Sequence, residues 1–338
     1  MPRFQVPRLL LTGIDTVTQA GRRGKVPRIG DLTLRWGSRI RAAPDQAPGF
    51  PIHRLKEDHS AMPRIVHALV TGASSGLGRE MVRQLVQDRG VTVLATARRL
   101  DRLEQLAAEL PPGRVHVLAG NLIDTGFREQ LWQQAIDLPG GLDLLINNAG
   151  AGNYAEFADQ DPHAIRQIIE LNVMALMDLS QKASRYMRAR HSGQILQISS
   201  VLGFVGIPYS AVYVASKHAV NGLVKSLKYE LRETGVRVSA ACPGRTASEF
   251  TSTALGAGGG QGGIPTGEPT VRVVRAILRG LDGRGTFLVP SWTAWAGLKV
   301  AQWCPPLYDW FVARWATRHV GSALDRTRRE RDQIAGDR

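Results

Sequence analysis

Cysteine is almost missing from this sequence. The 338 residues hold two, Cys242 and Cys304, with neither a CxxC pair nor a metal-ligand spacing. That argues against a disulfide framework and against a zinc site, and makes the cytoplasm the natural compartment. Long apolar runs are missing too. No stretch of about eighteen apolar residues occurs, so no membrane-spanning helix is expected. The N-terminus lacks the apolar core and small-residue cleavage site of a secretory signal. Basic residues outnumber acidic ones by 43 to 29, for a net charge of +14, yet they form no long run and no stripe interleaved with aromatics. A spread arginine surplus fits a solvated surface better than a nucleic-acid site, and no nucleic-acid partner is expected.

Residues 1–61 also lack periodicity. They carry eleven Lys/Arg against five Asp/Glu and six of the eighteen prolines, a composition that favours a disordered or irregular basic arm.

From Ile65 the pattern becomes strand, turn, helix. Ile65 to Val70 is apolar apart from His67, as in a strand buried on both faces of a parallel sheet. His67 reads as a packed histidine. Thr71-Gly-Ala-Ser-Ser-Gly-Leu-Gly78 then opens a helix through Gln87. Such glycines let backbone pass close to a pyrophosphate, and a helix N-terminus offers N–H groups and a positive dipole end. Gly72, Ser74, Ser75, Gly76, Leu77 and Gly78 are therefore candidate cofactor contacts.

A second strand, Val91 to Thr96, leads into Ala97-Arg98-Arg99 with no acid in reach. An acid there would hold a ribose 2′-hydroxyl, whereas arginine accommodates a 2′-phosphate. NADP(H) is thus expected over NAD(H). Further strands are read over Val115–Leu118, Leu142–Ile146, Gly193–Ser199, Val236–Ala241 and Phe287–Val289, with helices over Pro162–Ala189 and Thr270–Arg279.

The catalytic candidates lie late in the chain. Tyr213-Val-Ala-Ser-Lys217 puts a phenol and an ammonium four residues apart on one face of a helix read over Val214–Thr234. A nearby cation should lower the phenol's pKa and fit it for proton transfer. Ser200, at the end of an apolar strand, can hold the same substrate oxygen.

Taken in order, the Gly-rich turn, Asn147-Asn-Ala-Gly150, Ser200 and Tyr213-x-x-x-Lys217 resemble the short-chain dehydrogenase/reductase family over about residues 64–290. The resemblance implies one doubly wound α/β domain, Rossmann-like, with about seven parallel strands in the order 3-2-1-4-5-6-7. It implies hydride transfer between NADP(H) and a carbonyl or secondary alcohol. Tyr213 is then the proton donor, Ser200 the oxygen holder, Lys217 the tuner of Tyr213 and holder of the nicotinamide ribose, and Asn172 the support of a relay water. Arg98 is the first candidate for the 2′-phosphate and Arg99 the second. Asn121 and Leu122 flank the adenine, although the family usually has Asp where Asn121 stands. Asn148, Ala149 and Gly150 flank the adenosine ribose. Pro243 and Gly244 close over the nicotinamide, and Thr246 or Ser248 supplies the hydroxyl that meets the phosphate. The segment from Met62 to Thr71 is how many family members begin, which makes Met62 an alternative start. A homo-oligomer is implied as well.

Residues 249–268 include a Gly-rich run at the family's mobile lid, where a plain linker is the other reading. Residues 291–321 form a Trp-rich segment split by Pro305-Pro306 into two short helices. It can pack as a cap on the cleft, dock on another subunit or lie at a membrane interface. Residues 322–338 are charged and expected to fray. A cleft walled by these tryptophans would take a bulky or lipid-like apolar substrate. The rival readings are a redox-sensing binding module without turnover and a membrane-surface protein.

Overall fold

The computed structural model describes residues 64–247, 267–283 and 285–319, with side chains of the last helix described to Arg314. The expected arm (1–61), most of the Gly-rich loop and the tail 322–338 lie outside the described residues.

Seven strands form one parallel sheet: β1 (His67–Thr71), β2 (Thr92–Ala97), β3 (Val115–Ala119), β4 (Leu144–Asn147), β5 (Gly193–Ile198), β6 (Val236–Ala241) and β7 (Phe287–Leu288). Their order is β3-β2-β1-β4-β5-β6-β7, as expected. Every pairing is parallel. The helices between them are α1 (Gly76–Arg89), α2 (Leu100–Ala108), α3 (Thr125–Ile136), α4 (Pro162–Ile169), α5 (Leu176–Ala189), α6 (Ala211–Glu230) and α7 (Thr270–Leu281). Two more, α8 (Trp292–Trp303) and α9 (Pro305–His319), follow the sheet.

Alternation along the strands explains the two-sided burial. Successive side chains of a strand point to opposite faces. In β1, Ala68 and Val70 join the core beneath α1, α2 and α7, while Leu69 joins the core beneath α3, α5 and α6. In β4, Leu144 and Ile146 go one way and Leu145 the other. All of these are fully buried, so the sheet carries apolar surface on both faces and needs helices on both. α1 serves one face with Met81, Val82, Leu85 and Val86, then stops at Gly90, whose φ of 66° is the left-handed turn glycine favours. Arg89 ties it to α7 through Asp282 and the Leu278 carbonyl.

Two helices differ from expectation. The one read over Pro162–Ala189 is interrupted by a π turn at Glu170–Ala175. The helix read over Val214–Thr234 begins earlier, at Ala211, and ends earlier, at Glu230. Ser210 turns the chain and places Tyr213 inside the first turn rather than ahead of it. Apolar periodicity marks the buried stripe and is silent about a first turn that faces a cleft.

Candidate active site

The sheet order reverses between β1 and β4, and loops leaving their carboxyl ends diverge there. The Gly-rich turn leaves β1, the Asn-Asn-Ala-Gly turn leaves β4, Ser199-Ser200 leaves β5 and Cys242-Pro-Gly244 leaves β6.

Thr71 and Asn148 join the first two. The Thr71 hydroxyl accepts from the Asn148 and Ala149 backbone N–H groups at 2.9 and 3.0 Å. The Asn148 side-chain amide donates back to the Thr71 and Gly72 carbonyls at 2.8 and 3.1 Å. The approach is so close that a Cβ on Gly72 would stand 2.8 Å from Ala149 Cα. Gly72 also has a φ of 68°. A Cβ on Gly78 would overlap the Gly72 carbonyl and the Asn148 amide. The glycines therefore serve to bring two turns together as well as to admit a ligand. Ser75, the residue ahead of α1, gives that helix no side-chain cap, and its first turn holds no acid. Its N-terminal N–H groups suit an anionic pyrophosphate.

Arg99 reaches over this turn. Its guanidinium donates to Ser74 at 3.1 Å and Ser75 at 2.9 Å, whereas Arg98 is exposed. Asn121 accepts from the Ile123 backbone N–H at 3.1 Å, so its side chain shapes its own turn. Leu122 was expected at the cofactor, but its side chain is buried in the α3–α5 core and only its backbone remains for that role. Gly150 lies against Asn172 and Lys217, with a Cβ there 3.2 Å from Asn172 Oδ1 and 3.8 Å from Lys217 Nζ. The chain's own donors and cradle thus fit a nicotinamide dinucleotide.

Ser200, Tyr213 and Lys217 meet beside it. The Tyr213 hydroxyl is hydrogen-bonded to Ser200. Ser200 also accepts from the Leu202 backbone N–H at 3.1 Å, which fixes its rotamer. Lys217 Nζ stands 5.5 Å from the Tyr213 ring centroid and donates to the Ile198 carbonyl at 2.8 Å. Burial pushes the Tyr213 phenol up to about 12, against the lowering that the Tyr–Lys spacing suggests; the Ser200 hydrogen bond offsets this only in part. Lys217 is itself buried, and burial brings its ammonium down to about 8. At neutral pH Lys217 is still mostly charged, but the desolvation of the phenol outweighs its attraction in the ligand-free protein.

Asn172 lies in the π turn and is buried. Its amide donates to the Ala151 carbonyl at 2.8 Å and to Ser216 at 3.0 Å, and its Oδ1 accepts from Ala151 N–H at 2.8 Å. Both amide protons and one of the two oxygen lone pairs are used, so the side chain is held in place by its neighbours. Such turns cluster at functional sites because they re-aim one residue.

Pro243 accepts from the Val201 backbone N–H at 3.1 Å, joining the Pro-Gly turn to the Ser200 loop. Thr246 pairs with Glu268 in a bridge that closes the base of the loop between them. Sequence reasoning missed several supports. Ser199 donates to Asn221 at 2.6 Å, Ser216 donates to the Tyr213 carbonyl at 2.7 Å, and Tyr154 lies by Ser210 and Arg245. Ser199 and Tyr154 have partners distant in the chain, which the sequence does not mark; the Ser216 bond lies within the first turns of α6, where spacing alone gives it no role.

The tail meets the site at its rim. Its contacts with the site run through Ala294, which stands 3.1 Å from where a Gly244 Cβ would be, and Tyr308, which donates to the Gly206 carbonyl at 3.1 Å. Trp292, Trp295, Trp303 and Trp310 are exposed. Small side chains permit close packing, and the large rings are left outside. The side chain of Trp315 lies outside the described residues.

Comparison with known proteins agrees with this geometry. A family profile described as short chain dehydrogenase matches residues 66–256. A 3alpha-hydroxysteroid dehydrogenase of Mediterraneibacter gnavus is 34% identical over 188 residues, covering 55% of this chain and 75% of the relative. A farnesol dehydrogenase of Aedes aegypti is 34% identical over 201 residues, covering 57% and 82%. A solved short-chain dehydrogenase from Sphingobium yanoikuyae in complex with NADPH superposes with a TM-score of 0.63 at 28% identity, covering 70% of this chain and 94% of its own. The protein belongs to the short-chain dehydrogenase/reductase family, as an NAD(P)-dependent oxidoreductase acting on alcohols and ketones.

Proposed function

We propose that this enzyme interconverts a bulky, lipid-like ketone and its secondary alcohol with NADP(H), as a cytoplasmic homo-oligomer with peripheral membrane contact through its C-terminal helices. One observation carries the catalytic part: the Tyr213 hydroxyl meets Ser200, with Lys217 beside the ring, at the carboxyl edge of the sheet. When bound, the nicotinamide supplies or accepts the hydride. In the reducing direction Ser200 holds the carbonyl oxygen and Tyr213 passes its proton to that oxygen as the alcohol forms. A phenol held high by burial is protonated at neutral pH, as a donor must be. Lys217 binds the ribose and repays the lost proton's charge electrostatically. Asn172 supports the water through which Tyr213 is reprotonated. A sensor without turnover is not favoured, since it needs no such set.

Arg99 supports NADP(H). Its guanidinium already spans Ser74 and Ser75 at the phosphate turn, and no acid stands at the end of β2. Geometry favours Arg99 over Arg98 for the 2′-phosphate. Removing such a charge-assisted contact costs roughly 1.5–3 kcal/mol. Arg99→Ala should therefore raise the NADPH KM at least about tenfold and leave NADH nearly unchanged, with Arg98→Ala much milder. Equal effects on both cofactors would refute the assignment.

Substrate class rests on the relatives' named substrates, a steroid and farnesol, and on the loop between the catalytic residues. That loop carries Leu202, Val205, Ile207 and Pro208, all half-buried. Each methylene buried in an apolar cleft contributes about 0.8 kcal/mol, or roughly fourfold in binding. In a homologous ketone series followed by NADPH absorbance, kcat/KM should rise with chain length until the cleft is full. A flat series, with good turnover of small polar carbonyls, would overturn this reading.

A further inference from the structure

Two helices that rim the cleft share one outward design. At about 100° per residue, Trp292, Trp295, Lys299 and Trp303 fall within about 80° on α8. Leu307, Trp310, Phe311 and Arg314 fall within about 100° on α9. These faces are in solvent: Trp292 is 77% exposed, Trp303 79%, Trp310 60% and Phe311 61%. A protein rarely leaves so many large rings together in water without a partner for them. Each face has one cation near its centre. Lys299 Nζ lies 5.7 and 5.9 Å from the Trp295 and Trp303 centroids, and the Arg314 guanidinium 5.8 Å from that of Trp310. Among the described residues no carboxylate shares either face; Asp309 stands on the far side of α9.

We propose that these faces of α8 and α9 dock on an anionic lipid surface. This rests on the membrane contact offered above, and adds the lipid class and the residues that meet it. Tryptophan is favoured at the boundary between headgroups and acyl chains, where its ring is buried and its N–H stays wet. Lysine and arginine lay their stems along apolar surface and keep their charge among the headgroups. The helices lie on the surface and do not cross it. With 12 and 15 residues they span about 18 and about 22 Å against a hydrocarbon core of about 30 Å. Among the described residues no helix is long and apolar enough to cross a membrane.

Charge separates this occupant from a second copy of the chain. A two-fold contact between these faces sets cations against cations, whereas lipid phosphates and carboxylates complement them. The net charge of +14 acts in the same sense at longer range. The inner sides of the same helices touch the rim of the site, Ala294 at Gly244 and Tyr308 at Gly206. A lipid-like substrate dissolved in the bilayer would then meet the cleft at the surface.

The test is flotation of the full-length protein with vesicles of phosphatidylcholine alone or with phosphatidylserine added. Binding should need the anionic lipid and weaken with salt. Each cation near such a surface contributes about fivefold in affinity, so Lys299→Glu with Arg314→Glu should lower binding at least about thirtyfold. Trp292→Ser, Trp303→Ser and Trp310→Ser together should abolish it. Turnover of a short, water-soluble ketone without vesicles should stay parental in both variants, which shows that they fold and separates this proposal from the catalytic one. No flotation, or equal binding to neutral and anionic vesicles, overturns the proposal. So does a dimer that the tryptophan changes dissociate while vesicle binding is absent.

Discussion

At Tyr213 two forces oppose each other, and burial prevails. Its phenol is pushed up to about 12 and its partner Lys217 down to about 8. Tyr213→Phe should keep cofactor affinity and lose on the order of a hundredfold to ten-thousandfold in kcat, since a positioned general acid is worth that much. Near-parental turnover by stopped-flow would remove the residue from the chemistry. Lys217 makes a prediction with a sign. Its ordinary value is 10.5 and its folded value about 8. Between those limits the unfolded chain holds a proton that the folded one has released, so stability rises with pH across the window. Below about 8 the cost of the buried charge is present in full. Denaturant titrations of ligand-free protein should therefore show the parent gaining on Lys217→Met from pH 8 to 10.5. No change in their difference would mean that the ammonium is well solvated.

Among the elements, the turn after β1 is the least forgiving. Gly78 has the Gly72 carbonyl and the Asn148 amide where a methyl would go, and both belong to the cofactor cradle. Neither can yield without opening the Thr71–Asn148 hydrogen bonds. Overpacking of this kind costs about 1–3 kcal/mol. Gly78→Ala should lower Tm by several degrees and weaken cofactor binding roughly tenfold or more, measurable by calorimetry and fluorescence titration. Unchanged affinity would show that the turn relaxes. The Thr246–Glu268 bridge is a second joint. Glu268 pairs with Thr246 on one side and accepts from Ser291 on the other, so the loop's anchor and the start of α8 share a residue. Sequence reading placed both neighbours and had no means to see that they touch.

For the whole molecule, the core of the described residues is built between β1 and α7. Its two apolar layers draw on residues from Ala68 to Leu281, with Phe287, Leu288 and Val289 packed against them. The match to the family begins at residue 66. A chain that starts at Met62 should keep its turnover and melt within a few degrees of the full-length protein. A collapse in solubility or Tm would show that residues 1–61 belong to the folded unit.

What the sequence determined by itself was whatever depends on neighbours along the chain. Continuous apolar runs named the buried strands, the Gly-rich turn named the dinucleotide cradle, and Tyr213-x-x-x-Lys217 put two groups on one helix face. Their order carried the family resemblance, and that resemblance implied the sheet. Tertiary structure decided what depends on residues far apart in sequence. Arg99 reaches Ser74 and Ser75 across 25 and 24 residues, and Thr71 meets Asn148 across 77. Burial of Tyr213 and Lys217 reversed the expected direction of the phenol's shift, because the cost of desolvation is set by everything packed around a group. The exposure of the tail's tryptophans was likewise decided by packing far along the chain. Ala294 sits against Gly244, and Trp292 and Trp303 fall on the opposite face of α8, where they stay exposed.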